Sequence, residues 1–303
     1  MNIKPTLILV PLMALLMSCT NLSSLPKKQV ETVNMPTTTS PGQIKKHALA
    51  FNGILATTNQ EPLNDLGTRP DYILDREKQL LADWWNIHSR EDLLKTLDWL
   101  QTEGHRAGYA LIWQILSRMP RENYMLLVQK AAEGKLAKED PESLLIAISY
   151  LDARNLSKTR PIIAWDFARY IALCKWGTWA GYLSEQEAWD RIIPAARTLQ
   201  ASYNSWPDFA DDYIRGRTYW SARQMREDGD NVRKSVGLLL IGIYRPAQNL
   251  SIPPKAGLWA ECPWGESLGD GPRLEDLSGP PTARLDPKPQ GIIRPVGPDG
   301  AAR

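Results

Sequence analysis

The amino-acid sequence predicts an all-α fold, a single domain of orthogonally packed helices over residues 46–250 with a disordered N-terminal tether before it and a Pro-rich tail after it. Apolar residues recur in that stretch at helical spacing, and helix-capping residues stand directly ahead of the apolar runs. No alternating segment is long enough to found a sheet. Roughly two hundred residues of this kind can bury a substantial core as one domain.

The chain opens with the parts of a secretory leader: Lys4 as a positive start, an apolar run from Leu7 to Met17, and the small Ser18. As a helix that run rises roughly 16 Å, about half of a bilayer core, which is too short to span. Leu16-Met17-Ser18-Cys19 resembles a lipobox, so residues 1–18 are expected to be removed and Cys19 to become a lipid-modified N-terminus. An ordinary secretory signal with an incidental cysteine is the alternative. Thr20 follows Cys19 where an aspartate would favour inner-membrane retention; by resemblance to lipoproteins of Gram-negative envelopes, this favours the outer membrane, facing the periplasm. Acyl chains anchor a domain without a spanning segment. Residues 19–45 carry Ser, Thr, Pro and Lys without a sustained period and read as a tether with a coil span of roughly 25–30 Å.

Within the domain, Ser89 with Arg90-Glu91-Asp92 opens a helix, Leu93, Leu94, Leu97 and Leu100 form its apolar stripe, and Gly104 closes it. Asp140-Pro141 opens another, with Leu144, Leu145, Ile148 and Leu151 on one face. Ser184-Glu185-Gln186-Glu187 is a capping box ahead of Ala188, Trp189, Ile192, Ile193, Ala196 and Leu199, and Pro194 is expected to kink that helix. Pro207 and Asp208 begin a further helix through Phe209, Tyr213 and Trp220. The tail, residues 251–303, is Pro- and Gly-rich and is expected to be irregular or disordered.

The formal net charge of +2 falls to +1 once Lys4 leaves with the leader, so no field suited to nucleic acid exists. Of the 3 cysteines, Cys174 and Cys262 remain after lipidation; they suffice for one disulfide, though Cys174 lies in an apolar helical stretch that suits a buried free thiol. His47, His88 and His105 form no HExxH, so no metal is expected. Gly177 and Gly181 flank Thr178-Trp179-Ala180 without the lysine and hydroxyl pair of a phosphate loop, and no cofactor is expected either.

The stretch Leu80-Leu81-Ala82-Asp83-Trp84-Trp85-Asn86-Ile87, followed by Ser89 to Leu94, Trp99-Leu100 and Gly104-His105, resembles the opening of the bacterial YbeU-like family, the domain-of-unknown-function family 1266 (DUF1266). Ala164-Trp165-Asp166-Phe167-Ala168-Arg169, Trp176-Gly177, Gly181-Tyr182, Glu187-Ala188-Trp189, Ser205-Trp206 and Gly216-Arg217-Thr218-Tyr219-Trp220 continue the family's order, and the resemblance covers roughly Ala48 to Ile243. It implies a helical bacterial domain and no defined reaction. An accessory or immunity role beside interbacterial toxin and secretion systems is a further implication. The lipobox leader and the proline-rich end depart from the family pattern.

Asp166 and Arg169, at i and i+3, lie on one helix face where they can hold a ligand or each other. Arg217 completes a polar cluster with Asp166 and Glu187 if their helices pack together, although Glu187 is expected to serve its own helix cap. His105, directly after Gly104, is expected to bond the last carbonyls of the preceding helix, and a Cys174, His105 and Asp166 triad is the less favoured alternative. Trp84, Trp99, Trp165 and Trp189 are expected in the core; Trp176, Trp179 and Trp206 stand near helix ends, where an aromatic platform for a glycan or partner loop competes with simple packing.

These residues support a non-enzymatic module on the outer membrane, held by the lipid on Cys19, that binds a periplasmic protein. The alternatives are an envelope enzyme of hydrolase type, with Asp166, Arg169, Glu187 and Arg217 around a cleft, and a small-ligand binder using the same cluster. Catalytic residues, in that event, come from this set and His105.

Overall fold

The computed structural model of the chain describes residues 40–63, 66, 71–116, 118–132, 162–228 and 257–271. Most of these residues are helical and none is in a strand, which makes the domain all-α. The helix expected after Asp140-Pro141 and the leader with Cys19 lie outside the described residues.

The first helix, α1, spans Pro41–Ala50, with the Ser40 hydroxyl accepting from the Gln43 amide and Pro41 in the first turn. It begins ahead of residue 46, so the expected tether is shorter by these residues. The short α2 spans Gly53–Thr58, α3 spans Asp71–Trp85, and α4 spans Arg90–Thr102. Ser89 caps α4 as its sequence predicts, accepting from the Asp92 amide, and Gly104 follows in the left-handed region at φ 57°. Next come α5 at Gly104–Leu116, α6 at Arg121–Ala132 and α7 at Ile163–Trp179. The α8 helix spans Glu185–Ser202 behind a complete capping box between Ser184 and Glu187, and runs through Pro194 without a break. The chain then forms α9 at Trp206–Asp228 and a single turn, α10, at Leu258–Glu261.

The centre of the domain is α7. From Ile163 to Gly177 every residue is buried, because α7 is apolar nearly all round and is packed by α4, α8 and α9, with α2, α3 and α5 making smaller contacts. The buried charged residues Asp166, Arg169 and Lys175 are exceptions to that apolarity. Lys175 is tied to the Pro62 carbonyl and to Glu61 at 3.4 Å, and Glu61 also accepts from the Trp176 indole at 2.9 Å. Residues 61 and 62, after α2, are thereby fixed to the central helix.

Residues 257–271 are irregular apart from the single turn α10, as expected, but they are packed rather than disordered and strap α1 to the ends of α8 and α9. Trp259 stacks on Trp206 at 5.0 Å and 4°, and its indole donates to the Ala50 carbonyl at 2.9 Å. Trp206 donates to the Cys262 carbonyl at 2.7 Å, and Gln200 holds the Trp264 and Glu266 carbonyls and the Leu268 amide. Leu258, Trp259, Cys262 and Leu268 supply enough apolar surface to outweigh the neighbouring prolines and glycines. Cys174 and Cys262 are separate buried thiols.

Candidate functional site

The polar centre of the domain forms where the corner between α4 and α5 meets the first turn of α7. Gly104 turns the chain, which leaves the first amides of α5 without helical partners. Asp166, completely buried, supplies them: Oδ1 accepts from the His105 amide at 3.0 Å and Oδ2 from the Arg106 amide at 3.1 Å. It is a tertiary helix cap, favoured also by the positive end of the α5 dipole. The same carboxylate accepts from His105 Nδ1 at 3.0 Å and from the Arg106 guanidinium at 3.2 Å. Burial works against the charge of Asp166, but the His105 hydrogen bond and the Arg106 charge outweigh it and hold the carboxyl below its ordinary range.

Arg106 also closes the other side of the corner, donating to the Leu100 and Gln101 carbonyls at 2.7 Å each. The C-terminal cap of α4 expected of His105 therefore falls to Arg106, whose longer side chain reaches back while His105 is turned onto Asp166. Nothing in the local pattern singled out Arg106. Its one signal is a cation two residues beyond a helix-ending glycine.

Asp166 and Arg169 do not pair directly as their spacing suggested, because His105 stands between them. Arg169 donates from a terminal nitrogen to His105 Nε2 at 3.2 Å, which leaves Nε2 as the acceptor and assigns the ring proton to Nδ1, facing Asp166. The Arg169 guanidinium lies 4.1 Å from the ring centre of Trp85 and 4.5 Å from that of Trp165, with Trp220 at 5.4 Å. Burial pulls its pKa down to about 9, against the raising influence of Asp166. On α9, Arg217 lies 4.9 Å from Trp220 and 5.7 Å from Trp165. Burial likewise lowers Arg217 and pushes the neighbouring Tyr213 hydroxyl up to about 12, so Tyr213 is a neutral phenol.

Glu187 stays out of this cluster. Its carboxylate meets Arg90 at 2.5 Å and accepts from the Ser184 amide at 2.8 Å, as the capping box requires, and Arg90 in turn holds the Tyr182 carbonyl at 2.6 Å. The Arg90 hydrogen bond, with those of Ser184, lowers Glu187 to about 2. Cys174 does not complete a triad: it follows Asp166 by roughly 12 Å of helix rise, and burial pushes its thiol far above the reactive range. The tryptophans near helix ends form no open platform either, since Trp176, Trp179 and Trp206 are buried and each donates its indole N–H to a protein oxygen.

A groove of about 410 Å³ lies beside the Arg106 side of the corner, lined by Gln101, Phe167, Tyr170, Arg191, Pro194 and Thr198 among others. Among the described residues no group of His, Cys, Asp and Glu side chains is disposed to hold a metal ion, and no helix is long and apolar enough to cross a membrane.

Residues 80–264 match the family model described as "Protein of unknown function (DUF1266)". The chain belongs to the DUF1266 family. The match takes in the Asp166 corner, Arg169, Arg217 and the first half of the C-terminal strap, whereas α1 and α2 precede it. Two relatives from Escherichia coli (strain K12) accompany it: the uncharacterized protein YbeU is 26% identical over 161 residues, 52% of this chain and 63% of that protein. The uncharacterized protein YbeR is 27% identical over 146 residues, 47% of this chain and 57% of its own length. The chain thus spans less than two thirds of either relative. No solved structure matches the DUF1266 chain.

Proposed function

We propose that this DUF1266 protein is a non-catalytic binding module, tethered by a lipid on Cys19 to the outer membrane and facing the periplasm, where it engages a protein partner. The observation that carries the non-catalytic part is the state of Asp166. It accepts four hydrogen bonds from the α4–α5 corner, which leaves it no lone pair poised for a substrate proton. Two further candidates are similarly engaged, Glu187 with Arg90 and its cap, and Cys174 as a protonated thiol in the core. The tether rests on the leader and the Leu16-Met17-Ser18-Cys19 sequence.

Two measurements test the proposal. Labelling cells with radioactive palmitate should mark the wild-type protein and leave Cys19→Ala unlabelled and unprocessed; label retained on the variant refutes the lipid anchor. Crosslinking the tagged, lipidated protein in intact envelopes should yield one partner at constant stoichiometry, identified by mass spectrometry. Recovery of the protein alone across several crosslinkers refutes the interaction module.

A further inference from the structure

Charges in the polar centre divide unevenly. Asp166 is matched by Arg106, and His105 is neutral in the arrangement its hydrogen bonds require, so among the described residues Arg169 and Arg217 are left as neighbouring cations without a carboxylate of their own. They arise from crossed helical stripes: Trp165 and Arg169 at i and i+4 on α7 face Tyr213, Arg217 and Trp220 on one side of α9.

Neither guanidinium forms an ion pair with a carboxylate among the described residues. The one polar partner of Arg169 there is the lone pair of His105, which leaves most of its N–H donors unused although the residue is 5% exposed. Tryptophan faces stabilise a cation but accept no hydrogen bond in the guanidinium plane. Buried charge is costly unless it is both paired and hydrogen-bonded, so a folded domain that keeps two such cations together, one of them half-buried, gains from a bound counter-ion. The Trp165 indole N–H, also buried, has no acceptor among the described residues either.

We infer that Arg169 and Arg217, against the Trp85, Trp165 and Trp220 rings, form a binding site for a dianionic oxyanion of the phosphate monoester type. Two forks of planar donors match a tetrahedral oxyanion better than a point cation does, and two uncompensated charges match a dianion better than a single carboxylate. Tyr213, a neutral phenol on the Arg217 stripe of α9, packs its ring against Trp165 at 5.3 Å and lies within the electrostatic reach of both arginines. The site is independent of the lipid tether and stands whether or not a protein partner is found.

The test follows tryptophan emission of the full-length protein in neutral detergent at pH 8 and constant ionic strength, where phosphate is doubly charged. Inorganic phosphate is titrated in one arm, phenyl phosphate in a second and sodium acetate in a third. A saturable change with phosphate, and an equal or tighter one with phenyl phosphate, supports the site. Equal affinities mean that it reads the free ion's chemistry alone, and tighter phenyl phosphate means that the body of the ester is held as well. Arg217→Gln should weaken binding roughly 10- to 100-fold, the loss expected for hydrogen bonds to a charged group. Arg217→Lys should be intermediate, and Arg90→Gln, at the surface pair with Glu187, should bind like wild type. Thermal unfolding without phosphate confirms that each variant is folded, and Arg217→Lys carries the test if Arg217→Gln is not. An absent or non-saturating response to both phosphates, acetate binding as tightly as phosphate, or wild-type affinity in a folded Arg217 variant overturns the inference.

Discussion

Gly104→Ala should be among the most damaging single-methyl additions available to this chain, although glycine-to-alanine changes are usually small. A Cβ at Gly104 overlaps Asp166 Oδ2, falls 2.5 Å from Asp166 Cγ and lies 2.6 Å from the Arg106 guanidinium. Residue 104 also holds φ at 57°, where a side chain costs about 1 kcal/mol. The larger cost comes from Asp166, which must withdraw from the α5 amides and from Arg106; breaking a buried charge pair costs about 3–5 kcal/mol. Together these remove about 4–6 kcal/mol from a domain whose whole stability is expected to be about 5–15 kcal/mol. Equilibrium urea unfolding of the full chain in detergent, followed by tryptophan emission, measures the loss. Gly42→Ala is the internal control, because a Cβ there meets nothing within 4 Å, and on α1 it should be neutral or stabilise by up to about 1 kcal/mol. A Gly104→Ala protein within about 1 kcal/mol of wild type would refute the tertiary cap as the element that holds the corner.

Asp166→Asn keeps the shape but sets an amide N–H group among donors, so it should cost about 3–5 kcal/mol in the same unfolding assay, while Glu187→Gln shifts the midpoint little. His47 is fully buried with neither ring nitrogen hydrogen-bonded, and burial lowers its pKa despite Glu266 at 4.0 Å. Its proton is therefore bound more readily by the unfolded chain, and stability should fall as pH drops below about 6.5, by at most about 1.4 kcal/mol per pH unit. His47→Leu should flatten that slope between pH 6.5 and 5, read by urea midpoints. Trp259→Ala removes a buried indole that stacks on Trp206, should cost about 3–5 kcal/mol, and should open residues 257–271 to limited proteolysis. Cys174 and Cys262 should both resist a thiol-reactive disulfide reagent in the native state and react fully in urea; prompt native reaction at Cys174 would contradict its burial.

Local signals made part of this structure legible. Ser89 and Ser184 announce helix starts because their hydroxyls bond amides three residues on, within reach of a sequence pattern. The α4 stripe and the capping-box role of Glu187 follow from the same spacing. Asp166 was equally visible as a charge in an apolar helix, but its partners stand 60 and 61 residues away, and a cap made across that distance leaves no period to read. The i,i+3 rule misassigned it to Arg169 for that reason: the rule measures helix proximity, and a histidine from another helix took the space between. Composition was half right at the C-terminal strap, where proline and glycine suggested an irregular or disordered tail and the segment is irregular but packed. Trp259 and Trp264 among them indicate burial, and two indoles offset much disorder in a short segment.

The two halves of the polar centre are separable because they answer to different demands. Around Asp166 donors and acceptors are matched, and its loss should appear as lost stability with no ligand present. Around Arg169 and Arg217 the donors outnumber the acceptors, in a cage of indoles that costs the fold less to empty than to fill with a second carboxylate. A structural cluster under selection for stability alone gains from replacing unpaired cations with apolar side chains. Arg217, half-buried at the edge of α9, is the position where that replacement is easiest, and Arg217→Leu should hold or raise the urea midpoint in phosphate-free buffer. A marked loss of stability in that variant would instead mean that the guanidinium has a structural partner, and the surplus of positive charge on which the anion site rests would disappear.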